Sequence, residues 1–326
     1  MRACAGVVRW IRDVALFVAL PLACGVSAAP AEASIYWAQG GSFIGRAASD
    51  GSGALTLVMD AQTPRGVALD ATYVYWVNAG SLAIGRAKLD GSAVDEQFIT
   101  FPSSMFGPFG IAVDAAHIFW SNFNGNVGST ISRADLDGSG VVADFIPTDG
   151  GAEGLAVDGA HLYWPNLHAG SIGRATVDGG SVDQSFIPGA SSPLAVTVDG
   201  AHVYWTNFGS HAVGRANLDG SGVEQTFITG IADASFGIAV DAGHVYWVDN
   251  GNIARANLDG TGVEESFVPA SAFGVAVQAV ESCKIAFGPY VEVDDGVEYD
   301  WDDVTLAKAA GDGFAPPGHG YPSGAT

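Results

Sequence analysis

The sequence predicts an all-β protein, a six-bladed β-propeller of four-stranded antiparallel blades closed by pairing of its N- and C-terminal strands. First, Tyr or Phe followed by Trp recurs about every 40 residues, which is the length of a four-stranded blade. Second, Asp-Gly turns separate short runs rich in β-branched and aromatic residues. Third, no segment keeps apolar residues at a helical period for two turns. The six pairs are Tyr36-Trp37, Tyr75-Trp76, Phe119-Trp120, Tyr163-Trp164, Tyr204-Trp205 and Tyr246-Trp247.

Every unit predicts the same four strands in the same order, as residues 236–268 illustrate. An apolar run at 237–241 ends in a tight turn, and the aromatic pair follows at 244–248. A strand at 253–258, the turn Asp259-Gly260 and an outer strand at 263–268 complete the unit. These lengths and turns are typical of antiparallel hairpins.

The innermost strand of each unit carries small residues, as expected where blades converge around a central axis. These segments are 66–70, 110–114, 154–158, 195–199, 237–241 and 274–278. The first aromatic pair has no such strand before it, and 274–278 has no complete unit after it. We therefore expect 274–278 to complete the first blade and remove the open sheet edges. A further strand at 283–287 is the alternative at this end.

The two ends of the chain differ in composition from the repeats. Arg2, Arg9 and Arg12 precede an apolar run and small residues at 26–28, which predicts a signal peptide over 1–28. The propeller is then expected over 29–290, followed by an acidic, Gly/Pro-rich tail over 291–326. We expect a secreted or cell-envelope protein that is not inserted in a membrane after cleavage. A lipoprotein anchored at Cys24 is the other interpretation.

The chain is strongly acidic, with a formal net charge of −22. Six arginines occupy one repeated position, and Arg65 is the only other arginine beyond the predicted signal peptide. No basic patch is left for phosphates, so nucleic acid binding is excluded. Because a buried guanidinium needs a partner, we predict that the repeat arginines pair with the aspartates ending the inner strands, more weakly in the first blade, where Gln278 stands at the aspartate position. The six are Arg46, Arg86, Arg133, Arg174, Arg215 and Arg255.

The repeat unit resembles the YWTD repeats, the class B repeats of the low-density lipoprotein receptor family. The resemblance rests on Y-W-x-[N/D], then I-x-R-A-x-L-D-G-S/T, then G-x-A-V-D, and it covers about three quarters of the chain. Tyr204-Trp-Thr-Asn207 and Tyr246-Trp-Val-Asp249 come closest to the tetrad, which never occurs exactly. The resemblance implies a six-bladed propeller that binds a protein ligand, although the cysteine-rich module that follows such propellers in the receptors is missing.

Candidate binding residues lie where the units differ most, on the face formed by the connections between blades and by the loops between second and third strands. We call this the loop-rich face. Variable loops on a rigid scaffold are the usual place for binding. Arg65 either binds a ligand or pairs with Glu153 or Asp233, and packing is the expected role of Phe109, Phe236 and Phe273. The candidate binding residues are Arg65, Phe106, Phe109, Phe123, Glu153, His168, Phe208, His211 and Asp233.

No metal or cofactor is predicted within the repeats. His117, His161, His202 and His244 each lie at the same turn of a different unit, so they cannot converge on one ion. The segment 135–140 resembles the start of a calcium loop but has Ile146 where the bidentate glutamate belongs, so a hairpin turn is expected. Calcium bound at the acidic tail is the alternative.

The function predicted is binding of a protein, peptide or glycan through the loop-rich face by a monomeric propeller. The alternative is a lyase or hydrolase at the mouth of the central channel, using Glu153, His168 or His211 as acid or base and possibly a divalent metal. A purely structural envelope module is the third hypothesis.

Overall fold

A computed structural model describes residues 33–101, 107–123, 128–232 and 234–278 of the chain. Within these residues the fold is six four-stranded antiparallel sheets, so the predicted β-propeller is confirmed. The predicted signal peptide (1–28), Cys24, the possible strand at 283–287 and the acidic tail (291–326) lie outside the described residues. No helix in the described part of the chain is long and apolar enough to cross a membrane.

The blades are numbered in chain order, and within each blade the strands follow one another from the channel outwards. Blade 1 contains β24 (Ala272–Val277), β1 (Ser34–Gln39), β2 (Phe43–Ala48) and β3 (Leu55–Met59). Blade 2 contains β4 (Pro64–Leu69), β5 (Tyr73–Asn78), β6 (Ala83–Lys88) and β7 (Asp95–Thr100). Blade 3 contains β8 (Pro108–Val113), β9 (His117–Asn122), β10 (Thr130–Asp135) and β11 (Val142–Pro147).

The second half of the ring repeats this order. Blade 4 contains β12 (Ala156–Val157), β13 (His161–Asn166), β14 (Ser171–Thr176) and β15 (Asp183–Pro188). Blade 5 contains β16 (Pro193–Val198), β17 (His202–Asn207), β18 (Ala212–Asn217) and β19 (Glu224–Thr229), with a 3-10 helix, Phe208–Ser210, between β17 and β18. Blade 6 contains β20 (Ala234–Val240), β21 (His244–Asp249), β22 (Asn252–Asn257) and β23 (Glu264–Pro269).

The ring is closed by the last described strand, as predicted. β24 pairs antiparallel with β1, and Tyr36 lies opposite Ala276 while Trp37 lies opposite Val275. Blade 1 is therefore assembled from both ends of the described chain, and neither β1 nor β24 is left as an open edge.

The core lies between the blades, where the alternating side chains of each sheet meet those of the next. One cluster joins Tyr36 and Ile44 of blade 1 to Val74 and Trp76 of blade 2. The tryptophan indole covers the neighbouring strand so closely that a Cβ added at Gly85 would overlap the Trp76 ring. The recurring aromatic pair is thus a packing element, and the small residues opposite it leave room for the indole.

The predicted pairing of each repeat arginine with an inner-strand aspartate is wrong. No arginine lies within 4.0 Å of an aspartate carboxylate among the described residues. Instead the guanidinium of Arg174 lies 3.7 Å from the centroid of Phe186, in the outer strand of its own blade. It also donates a hydrogen bond to the carbonyl of Leu218 in the next blade, 3.1 Å away. Cation–π stacking and a carbonyl at the partly exposed edge take the place of the aspartate. Two of the arginines also form ion pairs in the outer strand, Arg215 with Glu224 at 2.6 Å and Arg255 with Glu264 at 2.8 Å.

The inner-strand aspartate has a different partner. Asp199 accepts a hydrogen bond from the Tyr204 hydroxyl at 3.0 Å and from the backbone N–H groups of Ala201 and His202. Burial, followed by the charge and hydrogen bond of Asp199, raises the pKa of Tyr204. The aspartate therefore fixes the turn between the first two strands and anchors the aromatic pair to it.

The four repeat histidines are turn residues, as predicted. Each begins the second strand of a different blade, and the His117 Nδ1 lies 3.5 Å from the Asp114 carboxylate of the same turn. The segment 135–140 is also a hairpin turn, in which the Asp135 N–H donates to the carbonyl of Ser139.

Candidate functional site

Six residues form a ring at the mouth of the central channel, one from each blade. Each immediately precedes the small residue near the start of the inner segment of its blade, so the repeat places all six at equivalent positions. Because the inner strands start at the loop-rich face, the ring lies at the centre of that face. We call it the mouth ring; it consists of Arg65, Phe109, Glu153, Leu194, Phe236 and Phe273.

The inner strands approach one another closely below the mouth ring. A Cβ added at Gly66 would lie 2.7 Å from the Phe109 carbonyl oxygen, and one added at Gly110 would lie 2.5 Å from that of Glu153. The cavity that they enclose has a volume of about 40 Å³. A space of this size has room for no more than a few water molecules, whereas sites for small organic ligands occupy roughly 300–1,000 Å³. The channel between the described inner strands is therefore too small for such a ligand.

Three phenylalanines of the mouth ring pack together across the channel. Phe236 and Phe273 are stacked, with ring centroids 4.5 Å apart and an interplanar angle of 5°. Phe109, from the opposite side of the propeller, lies 5.3 Å from Phe236 and 5.7 Å from Phe273. The packing role predicted for these residues is confirmed, and the packing closes part of the channel mouth.

Arg65 joins this aromatic cluster. Its guanidinium carbon lies 4.1 Å from the centroid of Phe109 and 5.4 Å from that of Phe273. Burial lowers the pKa of Arg65, and the charge of Glu153 acts in the opposite direction. No ion pair within 4.0 Å joins Arg65 to Glu153, so the alternative in which Arg65 simply neutralises that carboxylate is not the arrangement found.

Glu153 is the acidic member of the mouth ring. It is 8% exposed, and its Oε2 atom is buried without a hydrogen-bond partner in the described residues. Burial raises the pKa of Glu153 to about 7, although the Arg65 charge opposes the shift. A carboxylate of this kind is well suited to accept a hydrogen bond from a cationic group that displaces water, because the low local dielectric strengthens the interaction.

The remaining predicted residues are placed around the ring or beyond it. Phe123 packs on Phe109, with centroids 5.9 Å apart. His168 lies in an exposed turn, and the exposed Phe208 and His211 lie together, 6.3 Å apart, in the 3-10 helix of blade 5 and just after it. Neither histidine is hydrogen-bonded to Glu153, and His211 instead approaches the carbonyl of Ala232 at 3.1 Å.

Two predicted residues and one predicted ion site fall in undescribed parts of the chain. Phe106 and Asp233 lie outside the described residues, as does the acidic tail, where calcium is the alternative prediction. Within the described ranges, no three His, Cys, Asp or Glu side chains lie together as they would around a metal ion.

Sequence reasoning did not recognise the mouth ring as one set, and it missed Leu194. A usable signal was the position before the small residue of each inner strand, which reads Arg, Phe, Glu, Leu, Phe and Phe around the ring. Leu194 has neither a charge nor an aromatic ring, so nothing but its position relates it to the other five.

The fold is similar to those of solved propellers with different activities. The chain is 21% identical to one in the crystal structure of a nidogen/laminin complex, with a TM-score of 0.64, covering 75% of this chain and 98% of that one. It is 18% identical to a catalytically inactive virginiamycin B lyase from Staphylococcus aureus with quinupristin, with a TM-score of 0.52 and coverages of 72% and 80%. A gluconolactonase from Xanthomonas campestris is 17% identical, with a TM-score of 0.54 and coverages of 66% and 79%.

These likenesses establish the architecture and leave the activity open, because one fold supports many functions. No protein-family model matches the chain, and no curated protein matches it either. The chain therefore belongs to the class of six-bladed β-propellers on the evidence of its own strands.

Proposed function

We propose that this chain is an exported, monomeric propeller related to the YWTD repeats, and that it binds a protein or peptide at the mouth ring. The main support for this proposal is the buried carboxylate of Glu153, which has an unpartnered oxygen beside an aromatic cluster at the centre of the loop-rich face. Aromatic anchors surrounding a polar group are typical of binding hot spots. A glycan is the other ligand class that this face could take.

The charge of the site favours a basic group on the partner. A lysine or arginine side chain reaching the mouth ring would give Glu153 a hydrogen-bond donor, and its apolar stem would pack against the phenylalanine cluster. The net charge of −22 would also attract a basic partner over a longer distance. The small channel supports recognition of a protruding side chain at the mouth, with the rest of the partner on the loops.

The test is selection of linear peptides from a displayed random library on the mature chain, followed by affinity measurements on variants. We expect enriched peptides to carry Lys or Arg and to bind Glu153→Gln at least tenfold more weakly, since the amide leaves the shape but removes the charge. Asp95→Asn, at an exposed carboxylate of blade 2, is the matched control and should bind like the wild type. Peptides that bind wild type and Glu153→Gln equally would refute the role given to Glu153.

An enzymatic function is the second candidate, because a pKa of about 7 suits Glu153 to act as a general acid or base. It has less support, since no second titratable side chain is hydrogen-bonded to Glu153 in the described residues. Gluconolactone and quinupristin are suitable probes, each tried with calcium or magnesium. Turnover that is lost in Glu153→Gln would favour the enzyme over the binding module.

A further inference from the structure

In two blades a glutamine side chain closes the boundary with the preceding blade. The Gln184 Nε2 of blade 4 donates to the carbonyl of Pro147 at the end of blade 3, 2.8 Å away. Its Oε1 accepts from the indole Nε1 of Trp164 at 3.3 Å. Gln225 of blade 5 repeats the first contact, since its Nε2 donates to the carbonyl of Pro188 at 2.9 Å. The primary carboxamide is used here as donor and acceptor at once.

Blade 1 lacks the residue that would make this contact. In blade 4, β14 pairs with the outer strand β15, with Arg174 opposite Asp183 and Ile172 opposite Ile187. In blade 1 the corresponding pairs are Arg46 with Leu55 and Ile44 with Val58, so the outer strand is one residue shorter between them. The bulge that carries the glutamine in blades 4 and 5 is therefore one residue shorter in blade 1. Thr56, which follows the strand partner of Arg46, occupies the position of the glutamine.

An open cleft lies at the corresponding boundary, between blades 6 and 1. Its volume is about 390 Å³. The Trp37 Nε1 is buried without a hydrogen-bond partner, and Pro269 ends blade 6 where Pro147 and Pro188 end blades 3 and 4. The main lining residues are Trp37, Gln39, Leu55, Thr56, Asn252 and Pro269.

The other three boundaries without glutamine have different residues at this position. Blade 3 has Ala143 at the glutamine position, and there the Phe101 ring from the preceding connection packs 5.0 Å from Trp120. In blade 2 the Glu96 carboxylate accepts from the Trp76 Nε1 at 3.3 Å, and in blade 6 Glu265 stands at the position. An unpartnered indole N–H also occurs in blades 3 and 6, so the cleft together with the missing side chain distinguishes the boundary of blade 1.

We propose that this cleft binds a primary carboxamide, presented as the glutamine side chain of a partner polypeptide. The carboxamide oxygen would accept from the Trp37 Nε1, and its NH₂ group would donate to the Pro269 carbonyl, as Gln184 does one half-turn around the ring. Leu55 and Met59, which are 50% and 66% exposed on the edge strand β3, offer apolar surface for the residues beside that glutamine. Residues 1–32 and 279–326 of the chain contain neither Gln nor Asn, which favours a partner over these segments as the source.

The first test uses N-acetyl-glutamine methylamide, whose only primary carboxamide is in the side chain. It is titrated into ¹⁵N-labelled protein, and the Trp37 indole resonance is identified by its loss in Trp37→Phe. We expect a saturable shift of this resonance with a dissociation constant on the order of 1 mM, as for other ligands of this size. The glutamate analogue, which cannot donate to the Pro269 carbonyl, should bind at least fivefold more weakly.

Two matched variants complete the test. Thr56→Gln supplies the missing carboxamide from within the chain, so it should abolish the response to the probe and raise the melting temperature. Thr226→Gln makes the same change on an exposed position of blade 5, where Gln225 already fills the boundary, and should leave the response unchanged.

Three results would overturn the proposal: no saturable shift in the wild type, an equal response to the glutamate analogue, or full binding in Thr56→Gln. A Trp37 shift that follows protein concentration without the probe would instead identify a second copy as the occupant, which also overturns the assignment to a partner. None of these outcomes depends on Glu153, so they are independent of the mouth ring.

Discussion

Replacement of Glu153 by glutamine should change the pH dependence of stability in a defined direction. The pKa of Glu153 rises from 4.5 to about 7 on folding, so between these values the folded protein binds more protons than the unfolded chain. The contribution of this group to stability is therefore fully present below pH 4.5 and is lost as the pH rises through 7. At 1.36 kcal/mol per pKa unit, the loss amounts to about 3 kcal/mol by pH 8.

Glu153→Gln keeps a neutral side chain of the same shape at every pH. Its free energy of unfolding minus that of wild type should therefore be nearly constant below pH 4.5 and then increase by about 3 kcal/mol by pH 8, so that the variant becomes the more stable protein. Urea denaturation followed by tryptophan fluorescence at several pH values between 4 and 8 measures this difference, and Asp95→Asn, which keeps the acceptor for the Gln97 N–H, serves as the exposed control. A difference that stays flat across the range, or that favours wild type as the pH rises, would refute the account of Glu153 as a buried, uncompensated carboxylate.

Two further predictions concern the scaffold. Gly110→Ala should lower the free energy of unfolding by about 2 kcal/mol, since the new Cβ meets backbone of the neighbouring inner strand and overpacking typically costs ~1–3 kcal/mol. Thermal denaturation measures this loss. The control is Gly200→Ala, whose new Cβ meets nothing within 4 Å and which should be neutral or slightly stabilising. Tyr204→Phe should cost about 1.5–3 kcal/mol by urea denaturation because it removes the hydrogen bond to Asp199. An equal loss in Tyr73→Phe, whose hydroxyl has no such aspartate partner, would contradict that explanation.

The blades could be predicted from the sequence because the same pattern of residues occurs in six units. The aromatic pair, the Asp-Gly turn and the small inner residues recur together, and the closing strand followed from counting which unit lacked one. The cleft of blade 1 was less accessible, since it depends on a single missing residue in the outer strand, visible once Leu55 and Val58 are set against their strand partners.

The arginine pairing failed for a physical reason. Periodicity places Arg174 on the third strand, and the register puts it opposite Tyr163. The aspartate at the end of the inner strand is meanwhile used by the turn and by the tyrosine hydroxyl, as Asp158 shows with Tyr163 at 2.8 Å. Sequence spacing gives the strand of each residue but not which of several nearby donors a carboxylate will take.

The mouth ring was only partly predictable for a related reason. Arg65 stood out as the one arginine beyond the predicted signal peptide that lies outside the repeated arginine position, and Glu153 as an acidic residue at the mouth of an inner strand. Their role depends on Phe109 and Phe236 meeting across the channel, and these residues come from opposite sides of the propeller. Contacts across the axis have no counterpart in the local pattern of a single unit.

The pairing of β1 with β24 has a consequence for the order in which the protein folds. Blades 2 to 6 are each continuous in the chain and can form from local hairpins as the chain emerges, whereas blade 1 must wait for residues 272–277. Until then the edge of β1 that pairs with β24 is open to another strand. The residues of blade 6 that pack against Ala272 and Val275 are also still uncovered. Closing so long a loop is the slowest kind of contact to form, so we expect the last step of folding to be ring closure, and a chain cut before Ala272 to aggregate through β1.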